Sequence, residues 1–237
     1  MNAARRLANF LKQHQHVHCS PGGKGFRIEG SGSACGITKL LQQTFYPNYQ
    51  YTGKCKQKFD YVTGAKRGTL VDVQIRDVVR AMFDDSYQRK HKTLHAYTKK
   101  ILASLKVLDL TPAYAQCYVG DSQTKVATGV DLVCLDNATK RPVVIELKMG
   151  FNGTLDAGNG FMKSILQVYP NSPRYQHQAQ LAVTYELFKR TYGLEPVRCI
   201  VLNGNDKGVH FHELEPAFKK LAPAILDKIF KTRQKNI

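Results

Sequence analysis

The segment MNAARRLANFLK mixes basic and apolar residues in the manner of a basic amphipathic helix, and residues 3–14 are read as one. A turn-rich link, SPGGKGF, follows. In EGSGSACGITKLLQQTF, small residues precede an apolar-periodic run, which predicts a helix over 34–45 with Ser33 as its N-cap. Residues 46–66 read as irregular and basic. Apolar residues at 71, 75, 78, 79, 82 and 83 return at helical spacing and predict a helix over 67–85, with a second, strongly basic helix over 86–106. Strands are predicted over 113–119, 125–135 and 142–149, then a long Gly-, Asn- and Pro-containing stretch over 150–173. A helix over 175–192, strands over 197–203 and 208–214 and a basic helix complete the chain. That order predicts an α/β (α+β) fold with a mixed central sheet flanked by helices. The 237 residues suit a single domain, with an N-terminal helical and basic part (1–66), a core (67–214) and a basic C-terminal helix (215–237).

Charge changes this picture. Thirty-five Lys and Arg against eighteen Asp and Glu give a net +17, more than solubility requires. The excess is dispersed through RRLANFLK, KCKQK, RKHKTLHAYTKK and KIFKTRQK, which points to a basic face on a folded body and a polyanionic partner. Nucleic acid is the first such partner and an anionic membrane surface the alternative; no apolar run approaches the roughly 18 residues that span a bilayer. The six cysteines form no C-x-x-C pair, against a zinc ribbon or iron–sulfur cluster. Cys117 and Cys134 fall in predicted strands as small buried hydrophobes, and a reducing intracellular setting is favoured. No acidic residue precedes Glu29, as in a transit peptide, but the serines of such peptides are missing and a plain helix is the better reading.

The candidate chemistry lies in GVDLVCLDNATKRPVVIELKMG, residues 129–150. Two apolar strands carry Asp131, Glu146 and Lys148, and an unpaired buried carboxylate costs several kcal/mol or neutralises. Side chains alternate along a strand, so Glu146 and Lys148 share one face, while Asp131 points opposite to Val130, Leu132 and Cys134. One hairpin register brings Asp131 onto the Glu146 face; a slip of one residue separates them. Close carboxylates raise each other's pKa, and Mg²⁺ or Mn²⁺ relieves the repulsion through hard oxygen ligands. The Leu147 carbonyl could add a ligand, and Lys148 could orient a water and stabilise developing negative charge. The arrangement suits phosphodiester hydrolysis.

Gly129-Val130-Asp131 followed by Glu146-Leu147-Lys148 resembles the PD-(D/E)xK nuclease superfamily, with Val130 in place of the proline. YQHQAQLAVTYELF resembles the glutamine-bearing helix of its lambda-exonuclease and RecB-like branch, and GTLVDVQIRDVV the branch's upstream G-T-x-x-(H/E) helix. The resemblance covers residues 67 to about 203. It implies a restriction-endonuclease-like core with one or two Mg²⁺ (or Mn²⁺) ions on Asp131, Glu146 and the Leu147 carbonyl. Gln178, on an apolar stripe with Leu181, Ala182 and Tyr185, would position the nucleophile. Asp72, in the stripe of Val71, Ile75, Val79 and Phe83, would be the additional acidic ligand; a pairing with Arg76 is the ordinary alternative. Asp77 and the acidic pair at 84–85 read as a solvated helix face.

EGSGSACGITKLL resembles the segment that opens the first helix of lambda-type nucleases, and Arg27, Ser31 and Ser33 near a helix N-terminus would hold the terminal phosphate of a DNA end. The stretch 150–173 would line a DNA channel, with Phe151, Phe161, Met162 and Tyr169 against bases and Lys163 or Arg174 on a phosphate. HQHVHC reads as a basic loop or helix end, and His91 with His95 as part of a phosphate-facing basic helix. The expected activity is removal of nucleotides from ends of duplex DNA. An endonuclease of the same superfamily, a non-catalytic nucleic-acid-binding module and an RNA substrate stay open. So does a homo-oligomer, ring-shaped in lambda-type relatives.

Overall fold

The computed structural model describes residues 2–20, 25–47, 58–150, 155, 156, 158 and 160–235, with the backbone alone over 58–65. Helix α1 (Ala3–Gln13) starts at Asn2, whose side-chain oxygen accepts the Ala4 N–H at 2.8 Å. Its buried residues Ala4, Leu7, Ala8 and Leu11 form one stripe. Three short strands follow, β1 (Val17–Cys19), β2 (Phe26–Ile28) and β3 (Gly32–Gly36), then α2 (Ile37–Phe45). The expected helix over 34–45 is thus shorter, with Gly36 and not Ser33 at its N-cap. A ladder prevails there over helix formation: Cys35 and Gly36 pair in parallel with Val126 and Ala127.

Helix α3 (Lys58–Phe83) begins within the stretch expected to be irregular. The basic helix expected over 86–106 is reduced to α4 (Ala96–Val107). Asp77 supplies the reason. It is buried rather than solvated, and it accepts hydrogen bonds from the Tyr87 hydroxyl (2.7 Å) and the backbone N–H groups of Lys90 (3.0 Å) and His91 (2.9 Å). These bonds, with those of Gln74 to the His95 N–H (2.8 Å) and the Thr93 carbonyl (3.4 Å), hold residues 84–95 as a loop. His95 caps α4 through its ring, so it and His91 do not share a helix.

The remaining elements are β4 (Leu110–Asp121), β5 (Val126–Asp136), β6 (Pro142–Met149), α5 (Pro173–Tyr192), β7 (Arg198–Asn205), β8 (Gly208–Glu213) and α6 (Pro216–Gln234). They complete a mixed α/β fold of α+β type: an eight-stranded sheet flanked, among the described residues, by six helices. The strand order is β1-β2-β3-β5-β6-β7-β8, with β4 on the other edge of β5. Val71, Ile75, Val79, Ile101 and Leu105 of α3 and α4 pack on one face against Leu132, Cys134, Val143 and Ile145. Residues of α1, α2, α5 and α6 cover the other face over Val133, Leu135 and Val144. Cys117, Cys134 and Cys199 are buried thiols. Among the described residues no helix is long and apolar enough to cross a membrane.

Strand β5 is irregular in two respects. The first is its pairing. β4 takes one edge of β5 from Val126 to Asp136. On the other edge β6 pairs with Leu132–Leu135 and β3 with Val126 and Ala127, so the sheet forks around residues 128–131. The second is a kink. Within the fork the ladder pairs Ala115 to Leu132 and Cys117 to Val130 bracket Gln116 and Asp131. Gln116 has φ 56°, in the left-handed region. Side-chain alternation breaks there: Ala115 and Leu132 pack on the α3/α4 side, Cys117 and Val130 on the opposite side. Val130 therefore does not share the face of Leu132 and Cys134, as strict alternation predicted.

Burial raises the Asp77 carboxyl, but the N–H groups of His91 and Lys90 and the Tyr87 hydroxyl outweigh it and hold the group down at about 2, from an ordinary 3.8. A depressed carboxylate stabilises above its unfolded value and loses that contribution as pH falls toward 2. Asp77→Ala should cost about 2–3 kcal/mol, since it orphans several donors, and lower Tm by roughly 5–10 °C. Amide exchange over 84–95 should accelerate. An unchanged Tm with unchanged exchange would contradict this role.

Candidate active site

One step past the ladder pair Leu132 to Ile145, Asp131 comes opposite Glu146. The hairpin register is thus the one that gathers the two carboxylates, and the fork gives them room. Asp131 Oδ2 accepts the backbone N–H of Leu147 at 2.7 Å, a bond the ladder would otherwise have used. Lys148 donates its ammonium to Glu146 Oε1 at 2.7 Å. Together with Gly68, Thr69, Val71 and Asp72 of α3, these residues line a cleft of about 280 Å³.

The electrostatics come from shared burial. Burial pushes the Asp131 carboxyl well above the ordinary carboxylate value; Glu146 raises it further, and Lys148 and the Leu147 N–H offset only part. Burial alone would lower Lys148, but Glu146 and then Asp131 outweigh it, so the lysine is raised and stays an ammonium. Such a group orients and stabilises negative charge; it does not abstract a proton at neutral pH. Asp72 is raised by burial and by Glu146, against the opposing pull of Arg76 and Gln116.

Asp72 therefore faces the carboxylate cleft from α3, as the helix phase indicated. Gln116 Nε2 donates to both its oxygens, at 3.1 and 3.0 Å, and Arg76 stands at 4.0 Å. The left-handed turn at Gln116 sits beside that contact. The glutamine assignment is corrected. Gln178 is buried but donates to the Glu213 carbonyl (2.8 Å) and accepts the Glu215 N–H (2.8 Å), which ties α5 to β8 and α6. Gln180 is the one at the site: its amide donates to Glu146 Oε1 at 2.6 Å, and its oxygen accepts from Lys148 at 3.4 Å. Residues 178 and 180 point about 200° apart on a helix. Because α5 is buried on most sides, its apolar stripe did not discriminate between them. The QHQAQ run holds three glutamines, 176, 178 and 180, and only the contact with Glu146 on the neighbouring strand selects Gln180.

The N-terminal phosphate pocket is not formed as expected. Arg27 and Ser33 are exposed cross-strand neighbours on β2 and β3, Ser31 lies in the turn between them, and the α2 N-terminus begins later, at Gly36. Arg174 is clamped by two carboxylates at once, Asp156 (3.3 Å) and Glu215 (3.1 Å). In the stretch 150–173, Phe151 lies outside the described residues, Met162 is buried in the core, Lys163 is exposed and Phe161 is 66% exposed. His18 lies on β1 and bonds Glu29 at 2.7 Å.

Among the described residues no three His, Cys, Asp or Glu side chains form a metal-holding group. The donors that suit a hard divalent cation are the two carboxylates and the Leu147 carbonyl, which points to the same side of its strand as the N–H bound by Asp131. Water and substrate oxygens would have to supply the remaining ligands, and Asp72 lines the same cleft.

The raised carboxyl gives a stability test. Between 3.8 and its raised folded value, Asp131 is protonated in the native state and ionised when unfolded. Its contribution is therefore present at low pH and lost as pH rises. In EDTA at pH 8, Asp131→Asn should exceed wild type in Tm by a few degrees, equivalent to about 1–2 kcal/mol. Mg²⁺ or Mn²⁺ should stabilise wild type and not the variant. A less stable variant in EDTA would contradict the charge imbalance.

No family model matches the chain, and no curated protein matches it. Among solved structures, that of SSO0001 aligns over 98% of this chain and 86% of its own, at 14% identity and a TM-score of 0.42.

Proposed function

We propose that this chain is a divalent-metal-dependent nuclease that hydrolyses DNA phosphodiester bonds, built on a restriction-endonuclease-like core and akin to the lambda-exonuclease branch of the PD-(D/E)xK superfamily. The observation that carries the reading is the convergence of Asp131, Glu146 and Lys148 on the cleft at the sheet's fork. A purely structural hairpin has no use for a buried Glu146 and a part-buried Asp131 in one cleft with a single ammonium. The net charge of +17 supplies long-range attraction for a polyanion.

A bound Mg²⁺ or Mn²⁺ would supply Lewis acidity toward a phosphate oxygen and a water of lowered pKa. The chain's own residues do the rest. Asp131, Glu146 and the Leu147 carbonyl would hold the cation, with Asp72 of the same cleft as the additional acidic group. Lys148, paired with Glu146 in this structure, would orient the attacking water and stabilise charge on the phosphate. Gln180 fixes both Glu146 and Lys148. Attack from duplex ends is part of the proposal through the sequence resemblance.

Linear and covalently closed duplex DNA, each with Mg²⁺, Mn²⁺ or EDTA, test this reading. Metal-dependent loss of the linear form alone, abolished in Asp131→Ala and Lys148→Ala, is the expected result; cutting of the circle would establish an endonuclease. Gln180→Ala should lower the rate on the order of 10–100-fold, while Gln178→Ala should act mainly on stability. Equal rates for wild type and Lys148→Ala would overturn the assignment.

A further inference from the structure

Beside the carboxylate cleft lies a larger one, about 550 Å³, between α1, α3, β4 and the loop that Asp77 holds. Four cations line it, Lys12, Arg76, Arg80 and Lys90, against the carboxylates of Asp77 and Asp84. Asp77 lies behind the wall, its oxygens occupied by the loop, and Arg80 holds Asp84 at 3.7 Å. The lining therefore presents positive charge. It is also aromatic: Tyr87 and Tyr114 face the cavity, and the Arg80 guanidinium lies over the Tyr87 ring at 4.2 Å. That leaves the far side of a planar cation for a further flat group. Arg76 links the two clefts, since it lines this one and pairs with Asp72 of the other. Asp72, Arg76 and Arg80 succeed one another at intervals of four residues, one ridge of α3 that leads out of the carboxylate cleft toward Asp84, just past the helix end.

We propose that this cleft is a nucleotide subsite, with phosphate held by Arg76 and Arg80 and the base stacked on the Arg80–Tyr87 platform. The ligand chemistry is a nucleoside phosphate, as a link of a DNA strand or as a free mononucleotide. The loop pinned by Asp77 gives the site a fixed wall. The lining stands whether or not the carboxylate cleft cleaves DNA.

The test is binding without metal. Fluorescein-labelled oligothymidylate is titrated, in EDTA, with Glu146→Gln protein and with the same protein carrying Arg80→Ala, Arg80→Lys or, as a control, Lys220→Ala. Lys220 is an exposed α6 residue that does not line the cleft. Arg80→Ala should raise Kd on the order of tenfold, a hydrogen-bonded charge lost. Arg80→Lys should recover part, since charge returns without the planar face, and Lys220→Ala should change Kd less than about twofold. Displacement of the probe by dTMP would identify a free-nucleotide site. Loss of oligonucleotide affinity without dTMP displacement would identify a strand contact. Equal affinities with and without Arg80, or an equal loss from Lys220→Ala, would overturn the subsite. Absence of nuclease activity would leave this result untouched and bear only on the carboxylate cleft.

Discussion

Asp131 and Glu146 stand in one part-buried cleft with a single ammonium, Lys148, which pairs with Glu146, and the charges do not balance. Removing two carboxylates from water costs more than one salt bridge returns. The arrangement sits in a sheet that helices cover on both faces. Its stability is held elsewhere, in the packing of α3 and α4 on one side and α5 and α6 on the other. A divalent cation would supply the missing charge, and a phosphodiester would bring oxygens to complete its coordination.

The fork in the sheet makes the notch. Were β6 paired with β5 along its full length, the Leu147 N–H would enter the ladder and Asp131 would lose its anchor. Instead β3 takes the lower part of the same edge, and residues 128–131 lie open between the two. The kink at Gln116 and Asp131 turns side chains across the sheet at that point and brings the Gln116 amide onto Asp72. Helix α3 thus enters the cleft from one side and Gln180 of α5 from the other. The N-terminal strands, in a part read from the sequence as helical and basic and outside the core, shape this opening by ending the fork.

Elements with a strong period were legible in the sequence. The three central strands, α5 and β7 lie where alternation and helical spacing put them, and Asp131, Glu146 and Lys148 converge as one register required. What failed was what tertiary contacts decide. Three-residue strands such as β1 and β2 have no period to detect. The loop over 84–95 has helix-compatible composition, but its backbone is bonded instead by two buried side chains of α3, Gln74 and Asp77, the latter placed on the solvent side by helix phase. Gln178 fitted the apolar stripe because α5 is buried nearly all round, so the stripe carried no direction toward the carboxylates. Arg174 looks like a free cation in the sequence, but Asp156 and Glu215, both distant along the chain, hold it.

Crystals soaked in Mn²⁺ and measured for anomalous scattering test the carboxylate cleft most directly. A peak about 2.2 Å from oxygens of Asp131, Glu146 and the Leu147 carbonyl, with Lys148 swung off Glu146, is the predicted result. A notch without a peak, with Lys148 still on Glu146 under saturating Mn²⁺, would show a self-contained ion pair and remove the basis for metal-dependent chemistry at this site.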